Sequence, residues 1–219
     1  MHRASRAIRL VRLPLLSAML AVCTGLSLSS PAAEDAPATR SYADGPLTVD
    51  DFRAEPPADS GKLLAVTTTH LTFRIQHRYV VNNRRATAYL TEITIDAVVM
   101  PDRSWSKRPA DKQLLDHEQG HFDLTMIEAL RARLHFAQRG QLTKLTATGA
   151  TSEEAVASLG TKVEREMRKF FDELFAIQQE YERATMHGTV RDVQAEHRGQ
   201  QRATLQELAE RLKKSRKGR

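Results

Sequence analysis

Residues 114–130, LLDHEQGHFDLTMIEAL, contain two histidines four positions apart, His117 and His121, with Glu118 directly after the first. On an α-helix, at about 100° per residue, the two imidazoles fall within about 40° of each other. The large apolar side chains of the stretch fall on roughly the opposite side: Leu115, Phe122, Met126 and Leu130. We therefore predict a helix that buries this apolar stripe and turns both imidazoles toward a cleft.

The spacing of these histidines suits a metal ion. Two imidazoles one helical turn apart can reach one Zn²⁺ at about 2.0–2.1 Å. A glutamate after the first histidine then lies beside the metal, where Glu118 can act as general base on a water molecule. The alternative is an exposed helix in which Glu118 and His121 form an ordinary surface pair. Two features favour the metal site: the apolar stripe on the side of the helix opposite the histidines, and an export signal that the first 33 residues predict, as described below.

The sequence before this helix has the composition of β-strands. Residues 63–75, LLAVTTTHLTFRI, are rich in β-branched and aromatic residues. Residues 85–100, RATAYLTEITIDAVVM, alternate over several positions and then become fully apolar. Residues 81–84, VNNR, form a predicted turn between them. We predict two or three antiparallel strands over 63–100.

From Pro109 onward the apolar pattern becomes helical. Pro109 suits the first turn of a helix that runs to about Gln138, and Ser152 begins a second helix. The second helix has an apolar face at spacings of three and four: Val163, Met167, Phe170, Leu174, Ile177 and Tyr181. Gly188 can end it, and Thr189 can cap a final helix. The predicted fold class is α+β, a small antiparallel sheet followed by three helices.

The first 33 residues have the three parts of a secretory signal: a basic start, an uncharged apolar stretch over 13–28 and small residues around 30–33. We predict a signal peptide over 1–33, a linker over 34–46, and a periplasmic or secreted protein with no stable membrane span after cleavage. A membrane anchor fits less well, because a span needs about 20 strongly apolar residues. Lipidation of Cys23 is the other alternative, although Val22 is atypical for a lipoprotein cleavage box.

The positive charge is concentrated at the two ends of the chain. The formal net charge is +6, of which four arginines belong to the predicted signal. Six more basic residues crowd the tail over 211–219, so the body between the two ends has a net charge of −4. A nucleic-acid-binding domain would carry its positive charge on the folded part. We therefore predict no nucleic-acid partner, and a charged C-terminal helix with a basic tail over 201–219.

Three stretches together resemble the predicted secreted zinc-dependent protease family of bacteria, also described as a domain of unknown function. They are LLDHEQGHFD at 114–123, YERATMHG at 181–188 and LTVDDF at 47–52. The resemblance implies a zincin-like metallopeptidase domain over 47–200. Val49 stands where the family often has Trp, and Glu182 where it usually has Asp.

A catalytic zinc site uses three protein ligands and keeps one position for water, so a third ligand must come from outside the first helix. Two candidates remain open. His187 is preferred, because it lies where the apolar face of the second helix stops and can point back into a cleft. Glu182 is the alternative, because it lies in the family-like stretch. Tyr181 is a weaker candidate for a donor to the oxyanion.

These observations predict a zinc metallopeptidase acting on peptide or protein substrates, in which Glu118 takes a proton from water and delivers it to the leaving amine. Partner proteins and oligomeric state are not predicted, and a cell-wall amidase fits the same residues. The alternative from another class is a non-catalytic envelope protein with a structural or vestigial metal site. A structural site would be closed by four protein ligands.

Overall fold

The sheet is built around one long hairpin. Strands β4 (Thr69–Asn82) and β5 (Arg85–Val99) pair antiparallel over their whole length. The two residues between them, Asn83 and Arg84, have φ angles of 47° and 62°. Positive φ at both central positions is what a tight type I′ turn requires, and it matches the twist of the strands. The predicted strands and turn are confirmed in this computed structural model, which describes residues 6–9, 38–138 and 140–217.

Short strands complete the sheet on both sides of the hairpin. β1 (Arg6–Arg9) pairs with β4, whereas β2 (Arg40–Ser41) pairs with the end of β5. A separate pair joins β3 (Ala65–Val66) to β6 (Trp105–Ser106). The predicted order of sheet and then helices is too simple, because β7 (Thr146–Gly149) returns after the first long helix to pair with the start of β5.

The three predicted long helices are present: α1 (Lys112–Ala137), α3 (Ser152–Thr185) and α4 (Arg191–Lys217). A short fourth helix, α2 (Gln141–Lys144), lies between the first two of the predicted helices. α1 begins later than Pro109, because the carboxylate of Asp111 caps it by accepting from the backbone N–H groups of Gln113 and Leu114. The side chain of Thr151 caps α3 in the same way.

The main core lies between the hairpin and the long helices. The inward side chains of β4 and β5 and the apolar face of α3 form one buried cluster, which includes Phe73, Ile75, Val163, Met167 and Phe170. The apolar face predicted for α3 is confirmed. α1 differs from the expected half-buried helix, because the sheet, α3 and α4 contact it from several sides. Both its motif histidines are therefore buried, with exposed fractions of 2% for His117 and 8% for His121.

α4 is continuous across residue 200, where a boundary between domain and tail was predicted. Leu208 and Leu212 are buried against Ile127 and Leu130 of α1 in a second apolar cluster. The C-terminal helix is therefore part of the fold up to this cluster. Among the residues that the structure describes, no helix is long and apolar enough to cross a bilayer.

The predicted signal peptide lies outside the described residues except for Arg6–Arg9, and Cys23 lies outside them too. The second half of the predicted linker has a defined structure. Arg40 forms a bidentate ion pair with Asp51, and the Ser41 hydroxyl donates to Asp96 of β5 at 2.7 Å. These side-chain contacts, which a polar composition does not reveal, attach the segment to the sheet.

Candidate metal centre

Three side chains from two helices converge on one point. Nε2 of His121 lies 2.8 Å from Oε1 of Glu182 and 3.3 Å from Nε2 of His117. Oε1 of Glu182 is 3.6 Å from Nε2 of His117. Within the described part of the chain, no further His, Cys, Asp or Glu joins these three in a group with metal-ligand spacing. Two imidazoles and one carboxylate could hold a metal ion, and this donor set fits Zn²⁺.

The two helices approach each other closely because Gly120 has no side chain. A Cβ atom at Gly120 would lie 2.3 Å from the hydroxyl oxygen of Tyr181 on α3. The Tyr181 ring stacks on His117, with centroids 4.9 Å apart and planes 15° apart, and it contacts His121 edge-on. Its hydroxyl donates to the backbone carbonyl of His117 at 3.3 Å. Tyr181 therefore packs against both imidazoles. Because Glu182 is the next residue on α3, this packing also places Glu182 close to them.

Replacing Gly120 with Ala should destabilise the protein by about 1–3 kcal/mol, the usual cost of overpacking a core. The added methyl group would push Tyr181 away from the two imidazoles. Gly160→Ala on α3 is the matched control, because a Cβ there meets nothing within 4 Å. That change should stabilise the helix by about 0.5–1 kcal/mol. Urea unfolding of both variants measures the difference, and equal shifts in the two would contradict the close helix crossing.

Gln178 fixes the orientation of the His121 ring. Its amide oxygen contacts Nδ1 of His121, and its amide nitrogen donates to the His121 carbonyl at 3.0 Å and to Thr125 at 3.3 Å. Since an amide oxygen only accepts, Nδ1 carries a proton, and Nε2 is the nitrogen that would bind a metal. Gln178 was not predicted from the sequence. Its position one helical turn before Glu182 was the signal that could have found it.

Glu118 lies close enough to His121 for its charge to raise the pKa of that imidazole, but it does not join the three converging side chains. It is 3% exposed, and its Oε2 accepts a hydrogen bond of 2.6 Å from the hydroxyl of Thr67. Thr67 lies between β3 and β4. The carboxylate is therefore held from the sheet side, whereas the adjacent histidines face α3. Sequence reasoning missed Thr67, because a threonine in a strand-like run carries no distinguishing pattern.

The side of α1 that faces α4 is held by buried charge. Arg198 of α4 is 5% exposed and pairs with Asp123 at 2.5 Å and with Asp116 at 3.1 Å. The two aspartates flank the HExxH residues and are seven positions apart, so they share a helix face. Burial disfavours a charged guanidinium, but the two carboxylates outweigh it and raise the pKa of Arg198. Arg198 thus fixes the rotation of α1 about its axis.

The segment before the sheet contacts the same helix. The side-chain oxygen of Gln119 accepts from the backbone N–H of Leu47 at 2.7 Å, and Tyr42 donates its hydroxyl to Asp123 at 2.8 Å. Gln119 also donates to Asp123 at 2.7 Å. The LTVDDF stretch at 47–52 is therefore joined to the HExxH helix in space, about 70 positions away in sequence.

The two imidazoles keep the Glu182 carboxylate ionised. Burial by itself would raise the pKa of Glu182, but hydrogen bonds and the charges of His117 and His121 outweigh it and hold that pKa well below its usual range. Burial would lower the pKa of His121, yet its contacts with Glu182 and Gln178 and the charge of Glu118 raise it. The carboxylate of Glu182 is therefore ionised against the two imidazoles.

The two candidates for the third ligand lie differently with respect to the two motif histidines. Glu182, the alternative, joins the two histidines. His187, the preferred candidate, lies outside the group, and its side chain is 63% exposed, with Nδ1 2.5 Å from Oε2 of Glu182. The helix ends at Thr185, and the residues that follow it, His187 among them, have positive φ angles.

Tyr181 was a candidate donor to an oxyanion. Its hydroxyl is directed at the HExxH helix, and the side chain is 1% exposed. Burial, the largest influence, raises the pKa of this hydroxyl, so it stays protonated and donates to the backbone. In the described contacts, Tyr181 therefore packs against the two imidazoles and binds the backbone of α1.

Two cavities of about 380 and 410 Å³ flank the centre, and both are lined by Phe175 and Gln178. The first reaches Glu182 and His187, and the second reaches Thr67, which binds Glu118. The Phe175 side chain between them is 66% exposed. The surface next to the three converging side chains is thus open, with an apolar side chain at its middle.

The chain was compared with family models, curated proteins and solved structures. No family model matches the chain, and no curated protein or solved structure matches it. The likeness to the predicted secreted protease family therefore stays a prediction, and the function must be argued from the site.

Proposed function

We propose that this protein is a zinc-dependent metallopeptidase with a zincin-like domain. The observation that carries the proposal is the arrangement of four side chains: His117, His121 and Glu182 converge, and Glu118 lies next to them without joining them. Two histidines and a glutamate are the protein ligands of one class of catalytic zinc site. Three ligands rather than four favour catalysis over a closed structural site.

Bound at these three residues, Zn²⁺ supplies Lewis acidity, which polarises a carbonyl and acidifies water. The chain itself supplies the proton transfers. Glu118 accepts a proton from the attacking water and later gives it to the leaving nitrogen. The Thr67 hydroxyl donates to one oxygen of Glu118, and the other oxygen would carry the proton. Burial of the carboxylate limits its alternative positions.

The proposed substrate is a peptide or a peptide-containing polymer. An extended chain can lie across the two cavities, one beside Glu182 and the other beside Thr67, with Phe175 between them. The exposed Phe175 ring favours an apolar side chain near the bond that is cut. Together with the signal-like sequence over 1–33, this supports a role outside the cytoplasm, on proteins or on the peptides of the cell wall.

The mature protein should bind one Zn²⁺ per chain and hydrolyse peptides in a chelator-sensitive manner. The expected reason is the three-residue donor set, and zinc should also raise the thermal stability, because it binds only the folded state. Elemental analysis measures the stoichiometry, and a mixed peptide library read by mass spectrometry measures cleavage. Zinc bound without any cleavage would favour the alternative, a non-catalytic envelope protein.

A further inference from the structure

The two histidines of the site differ in the hydrogen bonding of Nδ1, the ring nitrogen that does not face the other two converging side chains. Nδ1 of His121 has its acceptor in Gln178. Nδ1 of His117 is buried and makes no hydrogen bond, in a side chain that is 2% exposed. A buried N–H group without an acceptor is unfavourable. The histidine that stacks on Tyr181 therefore lacks the outer hydrogen bond that metal-binding histidines usually make.

A buried acceptor without a donor lies on the neighbouring helix. Gln194 is near the start of α4 and is 4% exposed. Its amide nitrogen donates to the carbonyl of Gln113 at 3.3 Å and to Asp116 at 3.0 Å. Its amide oxygen is buried and has no hydrogen-bond partner. Because the nitrogen is held by α1, the direction of the oxygen is also defined.

Gly188 shows that these two side chains face the same point. A Cβ atom at Gly188 would lie 2.8 Å from Cγ of His117 and 3.0 Å from the amide oxygen of Gln194. Gly188 has a φ of 76°, which favours glycine, and its carbonyl accepts from Gln113 at 2.9 Å. The backbone of the turn between α3 and α4 thus leaves room for the imidazole and the amide oxygen on one side.

We propose that Gln194 is a positioning residue for His117, with its amide oxygen as the acceptor for Nδ1–H when Nε2 binds the metal. A neutral imidazole that ligates through Nε2 carries its proton on Nδ1, and that proton needs an acceptor. The pairing satisfies both buried groups in one hydrogen bond. The inference rests on the proposed metal site and adds the residue that orients its first ligand.

The two histidines would then be held in the same way by different helices. Gln178 of α3 accepts from His121, and Gln194 of α4 would accept from His117 when the metal is bound. Each glutamine is also tied to α1 through its amide nitrogen. The planes of the two imidazole rings are perpendicular, at 90°. Separate hydrogen-bond acceptors on α3 and α4 explain how each ring keeps its own orientation.

Gln194→Met tests the proposal, because methionine keeps the length of the side chain and removes the acceptor. We expect zinc affinity to fall about 10–100-fold, the usual effect of losing such a partner. Gln178→Met should give a loss of similar size. The matched control is Gln201→Met, a buried glutamine on the same helix that contacts Arg198 and none of the three converging side chains. It should keep wild-type affinity.

Affinities come from zinc competition with a chromophoric chelator, and circular dichroism of the metal-free variants checks their folding. A crystal structure of the zinc-loaded wild type is independent of any variant. It should show Nδ1 of His117 within about 3.2 Å of the Gln194 oxygen. A separation above about 3.5 Å, or wild-type affinity in Gln194→Met, overturns this proposal alone. No zinc in the wild type overturns it together with the proposed function.

Discussion

Glu118→Gln should retain one zinc ion per chain and lose peptide hydrolysis by about 10²–10⁴-fold, the range of a general base. Glutamine keeps the shape of the side chain and can still accept from Thr67, but it cannot take a proton from water. The change is therefore expected to act on turnover rather than on metal binding. Elemental analysis and initial rates on a cleaved peptide measure the two effects separately.

Glu128→Gln is the matched control for Glu118→Gln. Glu128 lies on the same helix, is 1% exposed and pairs with Arg131, without any contact to the metal centre. Burial raises its pKa, so loss of its charge is tolerated more easily than at a solvated position. This variant should keep its activity per folded molecule. Loss of zinc from Glu118→Gln would instead make Glu118 a structural part of the site.

Glu182→Ala should remove zinc from the protein, whereas His187→Ala should retain it. The first change deletes the carboxylate whose Oε1 lies 2.8 Å from Nε2 of His121, and leaves two ligands on one helix. The second deletes an exposed imidazole whose Nδ1 lies 2.5 Å from Oε2 of Glu182. With Glu182→Ala, the rise in melting temperature on adding zinc should disappear, because the folded state no longer gains binding free energy.

Glu180→Ala separates a ligand effect from a general effect on the end of α3. Glu180 is exposed and pairs with Arg183, so its loss should leave zinc content unchanged. Dialysed samples of the three variants, analysed for zinc at equal protein concentration, give the comparison. Zinc loss from His187→Ala with zinc retained in Glu182→Ala would restore the order of candidates that the sequence favoured.

Local periodicity was enough to predict a large part of this molecule. The spacing of His117, Glu118 and His121 on one helix depends only on the helical repeat. The hairpin strands followed from β-branched residues and alternation, and the apolar face of α3 followed from its spacings of three and four. Each of these features lies within one helix or one hairpin, so it can be predicted from residues that are close together in the sequence.

The third ligand could not be ranked in this way. Glu182 lies about 60 positions after His121. Its place in the site depends on where α3 crosses α1, which the contact between Gly120 and Tyr181 decides. From the sequence, Glu182 lay off the apolar face of α3 and His187 lay at a helix end. In the structure, the helix ends at Thr185 and His187 lies outside the group.

The burial of the polar groups around α1 could not be predicted from the sequence for a related reason. Gln194, Arg198 and Gln201 form a stripe on α4 that a polarity pattern assigns to solvent. All three are buried: Asp116 and Asp123 on α1 pair with Gln194 and Arg198, and Arg198 in turn donates to Gln201. The sequence by itself determined the elements, their apolar faces and the HExxH spacing. Only the tertiary structure decided that Glu182 joins the two histidines and which side chains hold the imidazoles, because such polar contacts form between elements distant in the chain.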